Sequence, residues 1–222
     1  MDILYQDESI VVVNKPSGLL TIRDGYDASL PTVKSQLENL FPRCWIVHRL
    51  DKETSGVLIV ALDVTSHHFL NDQFQERNIR KKYHAIITSV PERDRFDITL
   101  PLLTNGDRRH RTIVDEVRGK PAQSLISILK RFTEHSLVQI EPKTGYTHQI
   151  RAHLSSIGYP ILADHLYSKN KDKNNPPVIE RTCLHSFEIC FLHPSSKIMM
   201  KITAPYPTDF KIALNEIKKR SG

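Results

Sequence analysis

The stretch from Trp45 to Leu62, WIVHRLDKETSGVLIVAL, contains a carboxylate in a setting that could support chemistry. Asp51 follows the basic side chain of Arg49 and precedes a Thr-Ser-Gly turn that leads into an apolar run. An ionised carboxylate can attack an electron-poor carbon, or it can accept a proton as a general base. The same side chain could instead cap the turn that follows it. From these residues alone both roles stay open.

Other catalytic patterns are missing from the sequence. The eleven histidines include no H-E-x-x-H pair and no Cys/His set with zinc spacing, which argues against a metal-dependent hydrolase. There is no glycine-rich phosphate loop, no G-x-S-x-G elbow and no dinucleotide fingerprint. Ser55 lies near His48 in the chain, but proximity in sequence does not make a catalytic triad. We therefore expect neither a metal nor an organic cofactor.

The charge balance favours a polyanionic partner. The 222 residues include 31 Lys and Arg against 25 Asp and Glu, which gives a formal charge of +6 and a pI near 9.2. Three compact basic runs, at 77–82, 108–111 and 218–220, concentrate this charge. Clustered cations of this kind are typical of surfaces that contact nucleic acid.

The sequence also indicates where the protein works. No apolar run approaches the roughly 20 residues needed to span a bilayer. The N-terminus lacks the basic and apolar regions of a secretory signal. The three cysteines are odd in number and not spaced as C-x-x-C, so neither a disulfide framework nor a zinc ribbon is expected. We predict a reduced, cytoplasmic protein that does not bind membranes.

The elements that would position Asp51 form a pattern rich in strands. Apolar runs bounded by turn residues predict strands at 9–14, 57–62, 83–89, 96–100, 123–129, 136–141, 184–191 and 197–203. Helical spacing predicts helices from Thr32 to before Pro42, at about 65–77, from about 147 to 158, and at 208–219. Strands outnumber helices and do not alternate with them regularly. This predicts a single α+β domain over residues 1–222 with a mostly antiparallel sheet.

The third predicted helix carries polar residues opposite its apolar side. Its apolar stripe consists of Ile150, Leu154 and Ile157. Thr147 is the predicted N-cap, and Gly158 is the predicted stop. Arg151 falls off the stripe, so we expect it to face a cleft rather than the core. The polar, breaker-rich stretch at 168–177 is predicted to be a loop.

Several motifs resemble those of a known family. Residues 48–56, His-Arg-Leu-Asp-Lys-Glu-Thr-Ser-Gly, are similar to the H-R-L-D-x-x-T-S-G motif of the RluA-type RNA pseudouridine synthases. Three further segments follow the family's order: Lys-Pro-Ser-Gly at 15–18, Lys-Lys-Tyr-His-Ala at 81–85 and Gly-Tyr-Thr-His-Gln-Ile-Arg-Ala-His at 145–153. Residues 158–164 resemble its G-x-P-I-L-G-D segment. The match covers roughly residues 3 to 205 and begins without the accessory RNA-binding domain of many relatives.

The resemblance implies a fold, a reaction and a set of site residues. The fold would be that of pseudouridine synthases, a mostly antiparallel mixed sheet flanked by helices and loops. Asp51 would be the catalytic aspartate, and Arg151 would be the guanidinium that keeps it ionised. Tyr83 would be the platform on which a flipped uridine stacks. The residues expected to contact RNA are Arg49, His48, Lys15, Lys81, Arg108, Arg109 and Arg111.

Two departures from the family pattern stand out. Tyr146 replaces the usual arginine, which removes a cation, and Ala163 replaces a glycine at a turn.

The implied function is isomerisation of specific uridines in ribosomal or transfer RNA by a monomeric enzyme without cofactors. The alternative is a non-catalytic RNA-binding or ribosome-assembly protein with the same fold. Intact Asp51, Tyr83 and Arg151 favour the enzyme.

Overall fold

A computed structural model describes residues 1–23, 27, 29–168 and 178–221 of the chain. The strands are β1 (Asp2–Gln6), β2 (Ile10–Lys15), β3 (Trp45–Ile46), β4 (Ser55–Ala61), β5 (Arg80–Ile87), β6 (Arg95–Ile98), β7 (Leu102–Leu103), β8 (Ile113–Val114), β9 (Ser124–Arg131), β10 (Ser136–Pro142), β11 (Leu184–Leu192) and β12 (Met199–Thr203). The helices are α1 (Val33–Glu38), α2 (Val64–Gln75), α3 (Gln149–Ser156) and α4 (Thr208–Lys219). The predicted loop at 168–177 lies outside the described residues, apart from Ser168.

The predicted elements correspond to elements of the structure, with ends that differ by a few residues. The short strands β1, β3, β7 and β8 were not predicted, because none of them carries a long apolar run. The pairings whose register is described are all antiparallel. The α+β class with a mostly antiparallel sheet is confirmed.

The chain divides into two compact units. Unit 1 comprises Met1–Lys81 and Ser186–Pro205. Its strands follow the order β1-β2-β4-β11, with β3 beside β4 and β12 beside β11. Ile10–Val13 of β2 and the whole of β4 are buried, and this explains their continuous β-branched and aliphatic sequence. Helix α2 packs on β4. This core supports the loop that carries Asp51.

Unit 2 comprises Lys82–His185 and Tyr206–Gly222. Its strands follow the order β5-β10-β9-β6, and β7 and β8 form a separate two-stranded sheet. Helix α3 packs against β10 and β8. Tyr83 lies on β5, and Arg151 lies on α3.

The helix ends show how local sequence sets these boundaries. Thr32 caps α1 in a capping box with Ser35, and Asp63 caps α2 by accepting the Ser66 N–H at 2.8 Å. The predicted N-cap of α3, Thr147, is wrong. The cap is His148, which has a left-handed backbone (φ 55°) and makes no side-chain cap bond. Gly158, with φ 83°, follows the end of α3 as expected.

Candidate active site

Asp51 lies in the loop that joins β3 to β4 in unit 1, and it is half-buried. Its carbonyl accepts the Thr54 N–H at 3.1 Å, which closes the turn predicted from the sequence. The flanking residues Leu50 and Thr54 are 4% and 2% exposed, so both ends of the loop are anchored in the protein. The carboxylate therefore stands on a short, fixed segment.

The Lys-Pro-Ser-Gly segment fastens this loop from the other side. The ammonium of Lys15 is fully buried and donates to the carbonyls of Lys52, Leu19 and Pro16, at 3.0, 2.7 and 3.0 Å. The Gly18 N–H donates to the Lys52 carbonyl at 2.9 Å, and the Ser17 hydroxyl donates to the Glu53 carbonyl at 2.8 Å. The sequence prediction gave Lys15 an RNA contact. Its burial favours a role in holding the Asp51 loop instead, because a solvent-excluded ammonium with carbonyl partners cannot reach a phosphate.

Two further residues fix the loop, and sequence reasoning missed the first of them. The Thr21 hydroxyl donates to the Leu50 carbonyl at 3.0 Å and accepts the Leu50 N–H at 3.2 Å. Gly56 has φ 113°, and a β-carbon there would lie 2.1 Å from the carbonyl oxygen of Ser186. Only glycine fits that position. The glycine of the Thr-Ser-Gly motif thus permits close packing of the backbone.

His48 is half-buried in unit 1, and its ring has partners within that unit. Its Nε2 accepts the Ile59 N–H at 3.0 Å, and its ring centre lies 4.8 Å from that of Phe74. Burial, with a smaller effect from the charge of Lys81, lowers the pKa of the imidazole to about 3. A neutral ring that accepts a backbone N–H suits a structural role better than the predicted RNA contact. The neighbouring Arg49 is exposed.

The basic run at 77–82 is only partly a free surface. Arg77 and Arg80 are exposed, whereas Lys81 is half-buried, with its ammonium 6.0 Å from the centre of the Phe74 ring. Burial lowers the pKa of the Lys81 ammonium. The exposed arginines are therefore better placed to meet phosphates than Lys81.

Tyr83 lies in β5 of unit 2 and is 9% exposed. Its register in the sheet is fixed by antiparallel pairing with Ile140 of β10. A tyrosine ring held by a central strand has little freedom to move, which suits a stacking platform. Its predicted stacking on a flipped base stays a prediction.

Arg151 lies in α3 and is buried rather than open to solvent, and its predicted orientation toward a cleft stays a prediction. It is 7% exposed, and its guanidinium makes a two-pronged ion pair with Asp164, at 2.7 Å from Nε and 2.8 Å from Nη2. Asp164 also accepts the N–H groups of Leu166 and Tyr167, both at 3.2 Å. The helical periodicity of α3 could not predict that Asp164 pairs with Arg151, because Asp164 lies on the turn after the helix. The predicted pairing of Arg151 with Asp51 stays a prediction.

The basic loop at 108–111 lies between β7 and β8. Arg108 and Arg109 are exposed, as a phosphate-binding loop requires. Arg111 is half-buried and is paired with Asp107 at 2.7 Å, and it donates to the Leu166 carbonyl at 3.2 Å. Asp107 also accepts the N–H groups of Arg109 and Arg111, both at 3.0 Å. Arg111 thus shapes the loop, while Arg108 and Arg109 project from it.

Gln149 of the 145–153 motif organises the start of α3. Its side chain is 3% exposed and accepts the Thr144 hydroxyl at 2.8 Å and the Tyr146 N–H at 3.2 Å. Its amide donates to the Gln123 carbonyl at 2.9 Å. Tyr146, which replaces the family's arginine, packs half-buried against a cluster formed by Leu102, Ala122, Ala152 and Tyr167. The lost cation is replaced by apolar packing.

The described residues contain neither a candidate metal site nor a candidate membrane-spanning helix. No group of three or more His, Cys, Asp or Glu side chains there is arranged to hold a metal ion. Among the helices of the same residues, none is both long and apolar enough to cross a membrane.

Comparison with known proteins points to one family. Residues 9–156 match the sequence profile of the family described as RNA pseudouridylate synthase. The dual-specificity RNA pseudouridine synthase RluA of Haemophilus influenzae is 37% identical over 205 residues, which cover 92% of this chain and 92% of that protein. The protein of the same name from Pasteurella multocida is 34% identical over 206 residues, which cover 92% of this chain and 93% of that protein. The ribosomal large subunit pseudouridine synthase C of Buchnera aphidicola is 36% identical and covers 97% of this chain and 70% of its own.

Solved structures agree with the sequence matches. Human RNA Pseudouridylate Synthase Domain Containing 4 superposes with a TM-score of 0.78 at 25% identity and covers 97% of this chain and 92% of its own. Human RNA Pseudouridylate Synthase Domain Containing 1 gives a TM-score of 0.77 at 28% identity, and the match covers 92% of this chain and 83% of the human chain. The resemblance inferred from the sequence motifs is confirmed.

Proposed function

This chain belongs to the RNA pseudouridylate synthase family, and we propose that Asp51 is the carboxylate that carries its reaction. The reaction isomerises uridine in RNA: the N1–C1′ bond breaks, the base turns, and C5 bonds to C1′ as C5 loses its proton and N1 gains one. The product has the atoms of the substrate, so no oxidant and no second reactant is needed. The relatives support this enzyme and not the alternative of a non-catalytic RNA-binding protein.

One observation supports Asp51 above all, the fastening of its loop. Lys15, Ser17 and Gly18 bind the carbonyls after Asp51, and Thr21 binds both backbone groups of the residue before it. A reacting group must be held close to its productive geometry, because small displacements are costly in rate. An aspartate that merely caps a turn would not need support from a separate segment of the chain. We therefore assign the reaction to Asp51 rather than to a capping role.

The cation and the stacking ring of the reaction are assigned to Arg151 and Tyr83. The ion pair with Asp164 gives Arg151 a single orientation, which suits a fixed positive charge more than a mobile surface cation. The antiparallel pairing of Tyr83 with Ile140 gives its ring a fixed position in the sheet, which suits a platform for a single base. Either assignment fails if the corresponding variant, Arg151→Leu or Tyr83→Ala, forms pseudouridine at the parent rate.

The RNA surface is proposed to include the exposed arginines Arg49, Arg108 and Arg109. Their guanidinium groups are accessible and can bind phosphates in a two-pronged manner. Arg49 directly precedes the buried Leu50, so its guanidinium departs from an anchored backbone. Its proposed role is to occupy the place of the extruded base.

The proposed substrate is ribosomal RNA of the large subunit, and transfer RNA is the second candidate. Relatives named as large-subunit ribosomal enzymes support the first. Two relatives named as dual-specificity enzymes support a second class of RNA target. We further propose that the protein works as a monomer in the cytoplasm. Its three free cysteines are consistent with a reduced compartment.

Mapping pseudouridine in RNA from cells with and without this protein tests the substrate proposal. The expected result is loss of pseudouridine at one or a few defined uridines of large-subunit RNA, restored by the parent protein and not by Asp51→Asn. Loss confined to transfer RNA would select the second candidate. An unchanged map in both RNA classes would contradict both.

A further inference from the structure

We propose that Tyr167 is a positioning residue for Arg151, on which the rate of isomerisation depends. The inference rests on the proposed function, because it requires that Arg151 serves the reaction. Tyr167 follows the turn that carries Asp164 and is 8% exposed. It lies outside the 145–153 motif and is not among the residues assigned to the reaction above.

The Tyr167 ring lies against the guanidinium of Arg151. The guanidinium carbon is 5.0 Å from the ring centre, within the range of a cation–π contact. Asp164 binds the same guanidinium through Nε and Nη2. A carboxylate fork fixes the plane of the guanidinium, and an aromatic ring restricts its remaining movement. Together, Asp164 and Tyr167 leave Arg151 one orientation.

The hydroxyl of Tyr167 fixes the ring in turn. Its oxygen accepts the Thr112 N–H at 2.8 Å and lies 3.2 Å from Nδ1 of His148. Burial raises the pKa of the Tyr167 hydroxyl to about 12, so the group keeps its proton at neutral pH. The ring also packs in the apolar cluster that includes Ala152 of α3. The ring therefore cannot turn away from Arg151 without losing these contacts.

The same contacts tie Arg151 to the basic loop between β7 and β8. Thr112 ends that loop, and its hydroxyl donates to the Thr147 carbonyl at 2.6 Å. Arg111 donates to the Leu166 carbonyl, next to Tyr167. The segment that presents Arg108 and Arg109 and the segment that orients Arg151 thus share hydrogen bonds at Tyr167. Tyr167 is where the proposed RNA loop and the proposed catalytic cation meet.

The test uses Tyr167→Phe, which keeps the ring and removes only the hydroxyl. Single-turnover reactions with enzyme in excess over a prefolded uridine stem-loop, one that the parent modifies, give the rate constant at saturation, the amplitude and the Kd separately. We expect the rate constant to fall about tenfold, the scale of a small misplacement of a catalytic group, with amplitude unchanged and Kd within about twofold. For Tyr167→Leu, the rate constant should fall about 100-fold. Tyr5→Phe, which removes a hydroxyl bonded to Asp7 at 3.0 Å in unit 1, is the matched control and should keep the parent rate.

Combination with Arg151→Lys separates positioning from general stability. Because Tyr167 acts through Arg151, Tyr167→Phe should cost little further rate once lysine replaces the arginine. A purely structural role would lower the amplitude and the melting temperature in both backgrounds and leave the rate constant alone, which would overturn the proposal. The proposal would also be overturned if the losses of rate from Tyr167→Phe and Arg151→Lys were additive. A parent-like rate for either single variant would overturn it as well. Asp51→Asn measured in parallel tests the proposed function separately: a parent-like rate for Asp51→Asn would refute the proposed function, whereas an inactive Asp51→Asn beside a parent-like Tyr167→Phe would refute only the role of Tyr167.

Discussion

Replacing His48 with glutamine should remove one source of the acid sensitivity of the folded protein. The imidazole accepts the Ile59 N–H through Nε2, and this bond is lost when that nitrogen is protonated. Glutamine cannot gain a proton, and its side-chain carbonyl can still accept the N–H. The variant therefore keeps the acceptor and loses the titration.

The magnitude follows from the pKa of the folded state. Burial lowers the pKa of His48 to about 3, against an unfolded value of about 6.5. Because the folded pKa is the lower one, the stabilisation is fully present above pH 6.5 and is lost as the pH falls toward 3. Between pH 7.5 and pH 5.0 the free energy of unfolding should fall by about 2 kcal/mol from His48 alone, at about 1.36 kcal/mol per pH unit.

Urea unfolding of the parent and His48→Gln at pH 7.5 and pH 5.0 measures this loss. Burial also lowers the pKa values of His135 and His153, but their contributions cancel in the difference between the two proteins. The parent should lose about 2 kcal/mol more than the variant over this range. Equal losses would show that His48 titrates normally in the folded protein. A structural role for this histidine would then be refuted, and the RNA contact predicted from the sequence would regain support.

Three other predictions concern the turn after α3, the basic loop and the stacking ring. Ala163 has φ 58°, a conformation that suits glycine, so Ala163→Gly should raise the free energy of unfolding by about 1 kcal/mol in urea, and a loss of stability would contradict this. Replacing both Arg108 and Arg109 with alanine should lower RNA affinity and reduce the slope of log affinity against log salt by up to about 2, and an unchanged slope would place the RNA elsewhere. Tyr83→Phe should keep RNA affinity, whereas Tyr83→Ala should lose about 1–3 kcal/mol of binding at the flipped base, as measured by titration with a stem-loop. Equal binding by both variants would remove Tyr83 from the base contact.

The strands and helices followed from the sequence because their signal is local. The β2 and β4 runs are apolar at consecutive positions, and both are buried. Thr32 and Gly158 stand where a helix start and a helix end require them. The N-cap of α3 was misplaced because threonine is the better capping residue by type. The chain places a left-handed His148 at that point, and no local preference predicts it.

The candidate site was recovered only in part, because its supporting contacts join distant segments. Thr21 binds Leu50 across 29 residues, and no spacing rule links the two. Lys15 carries a charge that suggested a phosphate contact, but in the structure carbonyls from two loops surround it. Helical periodicity placed Arg151 opposite the apolar stripe, yet Asp164 buries it through an ion pair. Sequence patterns identify the residue types of a site, and the burial of each residue depends on partners that lie far away in the chain.

Conversion of uridine by the Asp51→Asn variant tests the central claim most directly. Asparagine keeps the shape of the side chain and removes its charge, so it separates the chemistry from the fold and from most of the RNA affinity. Release of tritium from uridine labelled at C5 reports the reaction, since C5 loses its hydrogen when it bonds to C1′. The matched control is Asp72→Asn, an identical change at an exposed position of α2 in the same unit. We predict that the control reacts at the parent rate and that Asp51→Asn, with parent-like melting temperature and RNA affinity, releases no tritium above background. Release by Asp51→Asn at near the parent rate would contradict the assignment of Asp51 as the reacting carboxylate.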